Sequence, residues 1–233
     1  MKLTGSDSPE ALAANNGDEP SLPAQCYRPI PSVWTGEDCE LLEAMLRFYP
    51  RKPPQRILDA TVNVGRFWRR SDRPHVGLDI NLRFRPDVLG DNLSMPFRDD
   101  CFDAVVYDPP HIPNQGRDRQ KDFNTRFGLV VKSSKENGYN LSHLFGPFLQ
   151  EAYRVLAPEG LLYAKISDYV HNHRLQWAHI DLVNAATSSG FVPCDCIVKV
   201  RKEPIVDPKW QVAHHARRRH SYWVVFRKSH RCE

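Results

Sequence analysis

From residue 56 onward, apolar runs of five to seven residues recur at intervals, separated by polar turns or amphipathic stretches. No other feature limits the fold so strongly. "RILDA" (56–60), "HVGLDI" (75–80), "DVLGD" (87–91), "FDAVVYD" (102–108) and "GLLYAKI" (160–166) read as short buried strands. "TGEDCELLEAMLRFYP" (35–50) places Cys39, Leu42, Met45, Leu46 and Tyr49 near helical spacing, with acids in its first turn and Pro50 at its stop. "SHLFGPFLQEAYRVL" (142–156) and "QWAHIDLVNAATSSG" (176–190) read as further helices, the second ending at Gly190. Strands that alternate with helices form a mostly parallel sheet covered on both faces. "FVPCDCIVKVRK" (191–202) and "SYWVVFRK" (221–228) have no helix between them and read as an antiparallel pair at one edge. The expected fold is α/β, Rossmann-like and doubly wound, with a mostly parallel seven-stranded sheet and an antiparallel edge hairpin.

Residues 1–22 are rich in Ser, Ala, Asn, Gly, Asp and Pro and read as a disordered N-terminal tail. Residues 23–233 read as a single domain. No apolar run approaches the ~20 residues of a membrane span, and the N-terminal stretch has no apolar segment of the secretory kind. The six cysteines show no disulfide framework. They read as reduced thiols, which places the protein in the cytoplasm.

An open parallel sheet binds ligands beyond the carboxyl ends of its strands. The residues at those ends are therefore the informative ones. Asp59 closes the first strand, and Asn63 and Gly65 occupy the turn after it. Asp79 closes the second, 20 residues on, where an acid commonly accepts the hydroxyls of a ribose. Asp91 and Asn92 follow the third, and "DPPH" (108–111) follows the fourth. Carboxylates gathered at one edge repel one another and lose solvation, so stability alone does not account for them. A ligand that donates from hydroxyls and amines does. In "DPPH" the prolines fix φ and remove two ladder donors, which aims the backbone carbonyl after the aspartate away from the sheet.

This series resembles the class I S-adenosylmethionine-dependent methyltransferases. "DPPH" is similar to the (D/N/S)-P-P-(Y/F/W) signature of the branch that methylates exocyclic amines of nucleic-acid bases. "RRRHSYWVVFRK" (217–228) resembles the ending of many DNA adenine-N6 and cytosine-N4 methyltransferases, and "YRVLAPEGLLYAKI" (153–166) the generic helix, turn and fifth strand. The resemblance spans about residues 32–228. It implies S-adenosyl-L-methionine as cofactor. Asp59, Asn63 and Gly65 would hold its methionine part, with Asn63 standing where the family has glycine. Asp79 would hold the ribose, and Asp91 and Asn92 would lie by the adenine. Trp34 and Thr35, in "SVWTG" (32–36), would close over the methionine end. Asp108 and the Pro109 carbonyl would accept hydrogen bonds from the target amine, with Pro110 completing the corner. His111 stands where the family usually has an aromatic residue that stacks on an extruded base.

The stretch 111–140 exceeds the ~12–15 residues usual for a structureless connection and reads as a substrate loop. Arg117, Arg119, Lys121 and Arg126 alternate there with Phe123 and Phe127, a mixture suited to phosphate contact and base stacking. With His220 they form the expected substrate-binding set. The net charge of +4 agrees mildly with a polyanionic partner. Cys194 and Cys196, with His214, His215 and His220, could make a metal site, but two small residues in a buried strand account for the cysteines, and no metal is expected. Trp177 reads as core. Lys165 reads either as a residue facing the site or as a lysine reaching for solvent. The expected activity is methyl transfer to a base amine, in DNA more than in RNA. The alternatives are an RNA guanine-N2 or other RNA methylase, and a non-catalytic cofactor-binding subunit of an active methylase. Asp108 argues against the last.

Overall fold

A computed structural model describes residues 29–110, 142–171, 173–201 and 215–229, excepting the Ser142 side chain. The tail expected at 1–22, His111 and the loop residues Arg117, Arg119, Lys121 and Arg126 lie outside the described residues.

The elements are β1 (Val33–Trp34), α1 (Asp38–Phe48), β2 (Ile57–Asp59), β3 (Val76–Asp79), β4 (Val88–Leu89), β5 (Phe102–Tyr107), α2 (Ser142–Val155), β6 (Leu156–Ile166), β7 (Tyr169–His171), β8 (Arg174–Gln176), α3 (Ala178–Ser188), β9 (Phe191–Val200) and β10 (His220–Lys228). The main sheet runs β1-β9-β10-β6-β5-β2-β3-β4. β4, β3, β2, β5 and β6 are mutually parallel, and β10 runs antiparallel to both β6 and β9.

One expectation is corrected here. The sheet has eight strands, because the two residues of β1 pair in parallel with Val198 and Lys199 of β9. So short a strand leaves no periodic trace in the sequence. The antiparallel pair forms as expected on one side of the sheet, with β10 joined to β6 and β9 outside it. The sequence of β10 suits the inner place, since Trp223, Val224, Val225 and Phe226 are consecutive and all buried, as a strand covered on both faces requires.

The period of two divides the core. Leu58, Val105, Leu162, Val224 and Phe226 face α2 and α3, packing with Phe148, Leu149, Ala152, Leu182 and Ala186. Ile57, Val106, Tyr163, Trp223 and Val225 face α1, packing with Leu41, Leu42, Met45 and Leu46. Between β2 and β3 a short 3-10 turn, Arg66–Trp68, adds Phe67 and Trp68 to the α1 face. The β7–β8 hairpin was not expected. Trp177 is 52% exposed just ahead of α3 rather than in the core. Cys194 and Cys196 are exposed as well. Pro193 lies next to the bulge of β9, where the register slips between Val225 and Phe226. Among the described residues no helix is long and apolar enough to cross a membrane.

Candidate active site

Register places the strand-end carboxylates together. Asp59 is level with Val106 on β5 and Gly77 on β3. Asp108 and Asp79 each lie two residues beyond those partners, so all three side chains belong to the α1 face of one sheet edge. Asp59 is 1% exposed. Its Oδ2 accepts from Trp68 Nε1 at 2.7 Å and its Oδ1 from the Thr61 N–H at 3.1 Å. Burial, reinforced by the charges of Asp108 and Asp79, pushes its pKa up to about 7 against those two hydrogen bonds.

The turn after β2 is built around Asp79. Asn63 and Gly65 both have positive φ, 48° and 65°. The Asn63 N–H donates to Asp79 Oδ2 at 3.0 Å, and the Asn81 N–H donates to Oδ1 at 2.9 Å. Burial still holds the Asp79 carboxyl above the usual range. Gly77 permits the close approach: a Cβ there would meet Val62 Cγ2 at 2.9 Å. At Gly65 a Cβ would meet nothing within 4 Å, so this left-handed turn faces open space beside the carboxylates. Asn92 Nδ2 donates to the Ala60 carbonyl at 3.1 Å and so joins the same turn. Asp91 folds back on its own segment, its Oδ1 accepting from the Leu93 N–H at 2.9 Å. Ile80, directly after Asp79, is 46% exposed. It gives the rim an apolar surface that the sequence reading passed over.

Asp108, Pro109 and Pro110 leave the end of β5 as expected. The Asp108 N–H donates to Thr61 Oγ1 at 2.8 Å, which ties this corner to the turn after β2. Lys165, buried on β6, faces the site: its Nζ lies 2.8 Å from Asp38 Oδ2 and 3.9 Å from Asp108 Oδ2.

Trp34 closes β1 and Thr35 follows it, ahead of α1. Trp34 donates from Nε1 to the Glu37 carbonyl at 3.1 Å, and Glu37 Oε1 lies 3.3 Å from Arg70 Nη2, beyond the turn that follows β2. His220 opens β10 at the carboxyl end of β6, its Nε2 3.0 Å from the Tyr222 hydroxyl. Tyr222 stacks on His179 with centroids 4.1 Å apart, and His179 Nδ1 lies 2.7 Å from Asp168 Oδ1. Burial and Asp168 raise the pKa of Tyr222. Sequence reasoning missed Asp168, His179 and Tyr222. Their only signal is position, at strand ends and a helix start, which periodicity does not rank. Among the described residues no group of three or more His, Cys, Asp and Glu side chains could hold a metal ion.

No family model matches the chain, and no curated protein matches it by sequence. Solved structures do match. TrmN from Thermus thermophilus is 17% identical, over 82% of this chain and 48% of its own, with a TM-score of 0.51. A SAM-dependent methyltransferase from Methanosarcina mazei is 15% identical over 79% and 97%, at 0.48. The Thermus thermophilus protein TTHA0409, provisionally named a DNA modification methylase, is 16% identical over 57% and 47%, at 0.36. The chain thus spans about half the length of TrmN and of TTHA0409. The likeness to TrmN is one of fold: an α/β, Rossmann-like architecture.

Proposed function

We propose that this chain is an S-adenosylmethionine-dependent methyltransferase that modifies an exocyclic amine of a nucleic-acid base, in DNA (adenine N6 or cytosine N4) in preference to RNA. The observation that carries the reading is the row of Asp59, Asp79 and Asp108 at the ends of three neighbouring parallel strands, with the Asp-Pro-Pro corner tied to the turn after β2 through Thr61.

The residues fit the cofactor. The open space at Gly65 admits close approach to the backbone. Asp79 offers two oxygens at ribose height, Asn92 and Ile80 border the adenine side, and the buried Asp59 holds the turn beneath the methionine part through Thr61 and Trp68. When bound, S-adenosylmethionine supplies a methyl group on a sulfonium leaving group. The protein's part is then positioning. Asp108 and the Pro109 carbonyl accept from the target amine, hold its nitrogen in line for displacement, and raise electron density on it. His111, outside the described residues, would give the base a surface to stack on, and His220 and the basic loop would meet the polynucleotide. Arg217 and Arg219, exposed just before β10, add positive charge at the same edge.

The test is transfer of labelled methyl from S-adenosylmethionine to duplex DNA, single-stranded DNA and total RNA in parallel. Label in DNA is expected. Label confined to RNA moves the substrate to the alternative polymer. Cofactor binding without transfer to any polymer supports a non-catalytic cofactor-binding subunit.

A further inference from the structure

Lys165 stands among carboxylates. It lies two residues beyond Tyr163, which pairs with Val106, so it is level with Asp108 on the same face of the sheet. It is 7% exposed, with its ammonium 5.4 Å from the Phe67 ring centroid and 5.8 Å from that of Trp223. Its hydrogen bond goes to Asp38 Oδ2 at 2.8 Å, and Asp38 Oδ1 accepts from Trp223 Nε1 at 2.9 Å. Asp38 is the first residue of α1, where the helix N-terminus favours a carboxylate. If core stability were the whole purpose, an apolar side chain at 165 would serve as well as a buried ion pair.

We infer that Lys165 is a positioning residue for Asp108, restrained by Asp38 so that it acts on the Asp108 carboxylate by charge without occupying it as a donor. The inference rests on the reading of Asp108 as acceptor of the target amine. Among the described residues, the groups facing Asp108 include Asp59 and Thr61 from the β2 segment and Lys165 from β6, with Asp79 beyond Asp59 and Asp38 behind Lys165. The carboxylates oppose ionisation of Asp108, and the ammonium favours it. At 3.9 Å the ammonium is beyond hydrogen-bonding distance, so the oxygen it faces is not taken from the substrate by this lysine. Asp38 maintains that separation. A lysine released from Asp38 would move onto Asp108 and compete with the amine.

The test uses the full chain with Lys165→Met, Lys165→Arg and Asp38→Asn. The Asp108 carboxyl is followed by carbon-13 NMR against pH, its resonance assigned by loss in Asp108→Asn. Single-turnover rates are taken over the same pH range. In Lys165→Met the Asp108 titration and the acid limb of the rate move up by about one pH unit or more, while Lys165→Arg stays near wild type. In Asp38→Asn the titration moves down and the rate falls. An Asp108 titration unmoved in a folded Lys165→Met overturns the inference. If that variant does not fold, an unmoved titration in Asp38→Asn overturns it. The NMR measurement needs no turnover, so a wild-type protein that methylates no polymer refutes the proposed function while the titration still decides the role of Lys165.

Discussion

The Asp108 backbone N–H donates to the Thr61 hydroxyl at 2.8 Å, across 47 residues of sequence. Thr61 also donates its own N–H to Asp59 Oδ1 at 3.1 Å. One residue thereby sets the height of the proline corner against the turn that borders the proposed cofactor site. Thr61→Val preserves shape and removes the acceptor. It should cost about 1–3 kcal/mol of stability, the scale of a donor left unmet. Transfer should slow with little change in cofactor affinity. Urea unfolding, calorimetric titration and single-turnover kinetics separate these effects, and a rate equal to wild type would remove Thr61 from any role in orientation.

Asp79 accepts from the backbone of Asn63 and of Asn81, so it holds the turn and faces the proposed ribose at once. Asp79→Ala should weaken S-adenosylmethionine binding by about 1–3 kcal/mol, the scale of lost charged hydrogen bonds. Calorimetric titration measures it, and unchanged affinity would take Asp79 out of the cofactor site.

Asp59 gives the protein a pH dependence of known sign. Its folded pKa of about 7 lies above the ordinary carboxylate value, so the folded protein holds the proton more tightly than the unfolded chain. This contribution to stability is complete below about pH 4 and is lost as the pH rises through about 7. Asp59→Asn removes the titration. Melting curves should show a flatter profile for the variant than for wild type across that window, by on the order of 2–4 kcal/mol. Parallel profiles would place the charge elsewhere.

Under the proposed function, Arg117, Arg119, Lys121 and Arg126 would meet the phosphates of the polynucleotide. Neutralising two of them should flatten the logarithmic salt dependence of duplex binding by roughly 0.9 per lost contact and leave cofactor affinity unchanged. A salt slope that does not move would leave the loop without phosphate contacts.

The strands that build the site were legible because each is an apolar run closed by an acid. "RILDA", "HVGLDI" and "FDAVVYD" contain β2, β3 and β5, and they deliver Asp59, Asp79 and Asp108 to one edge. The place of β10 was less legible. Antiparallel pairing follows from the missing crossover helix, but insertion between β6 and β9 depends on which neighbour best buries Trp223 and Val225, a tertiary matter. Trp34 and Thr35 were assigned from their place in the chain, and the pairing of so short a strand as β1 with β9 left no trace in the sequence. Lys165 was ambiguous because a lysine at a strand end reads alike whether it meets water or a carboxylate. Only the packing of α1 shows that Asp38 covers it.

The central claim is methyl transfer to a base amine through the Asp108 corner. The most direct measurement is the identity of the methylated nucleoside, by mass spectrometry after digestion, with wild type and Asp108→Ala compared. The account predicts N6-methyladenine or N4-methylcytosine from wild type. It predicts a rate lower by orders of magnitude from Asp108→Ala, with cofactor affinity nearly intact, because an acceptor that orients and polarises the amine acts mainly in the transition state. A methyl group on a ring carbon, or full activity in Asp108→Ala, would contradict it.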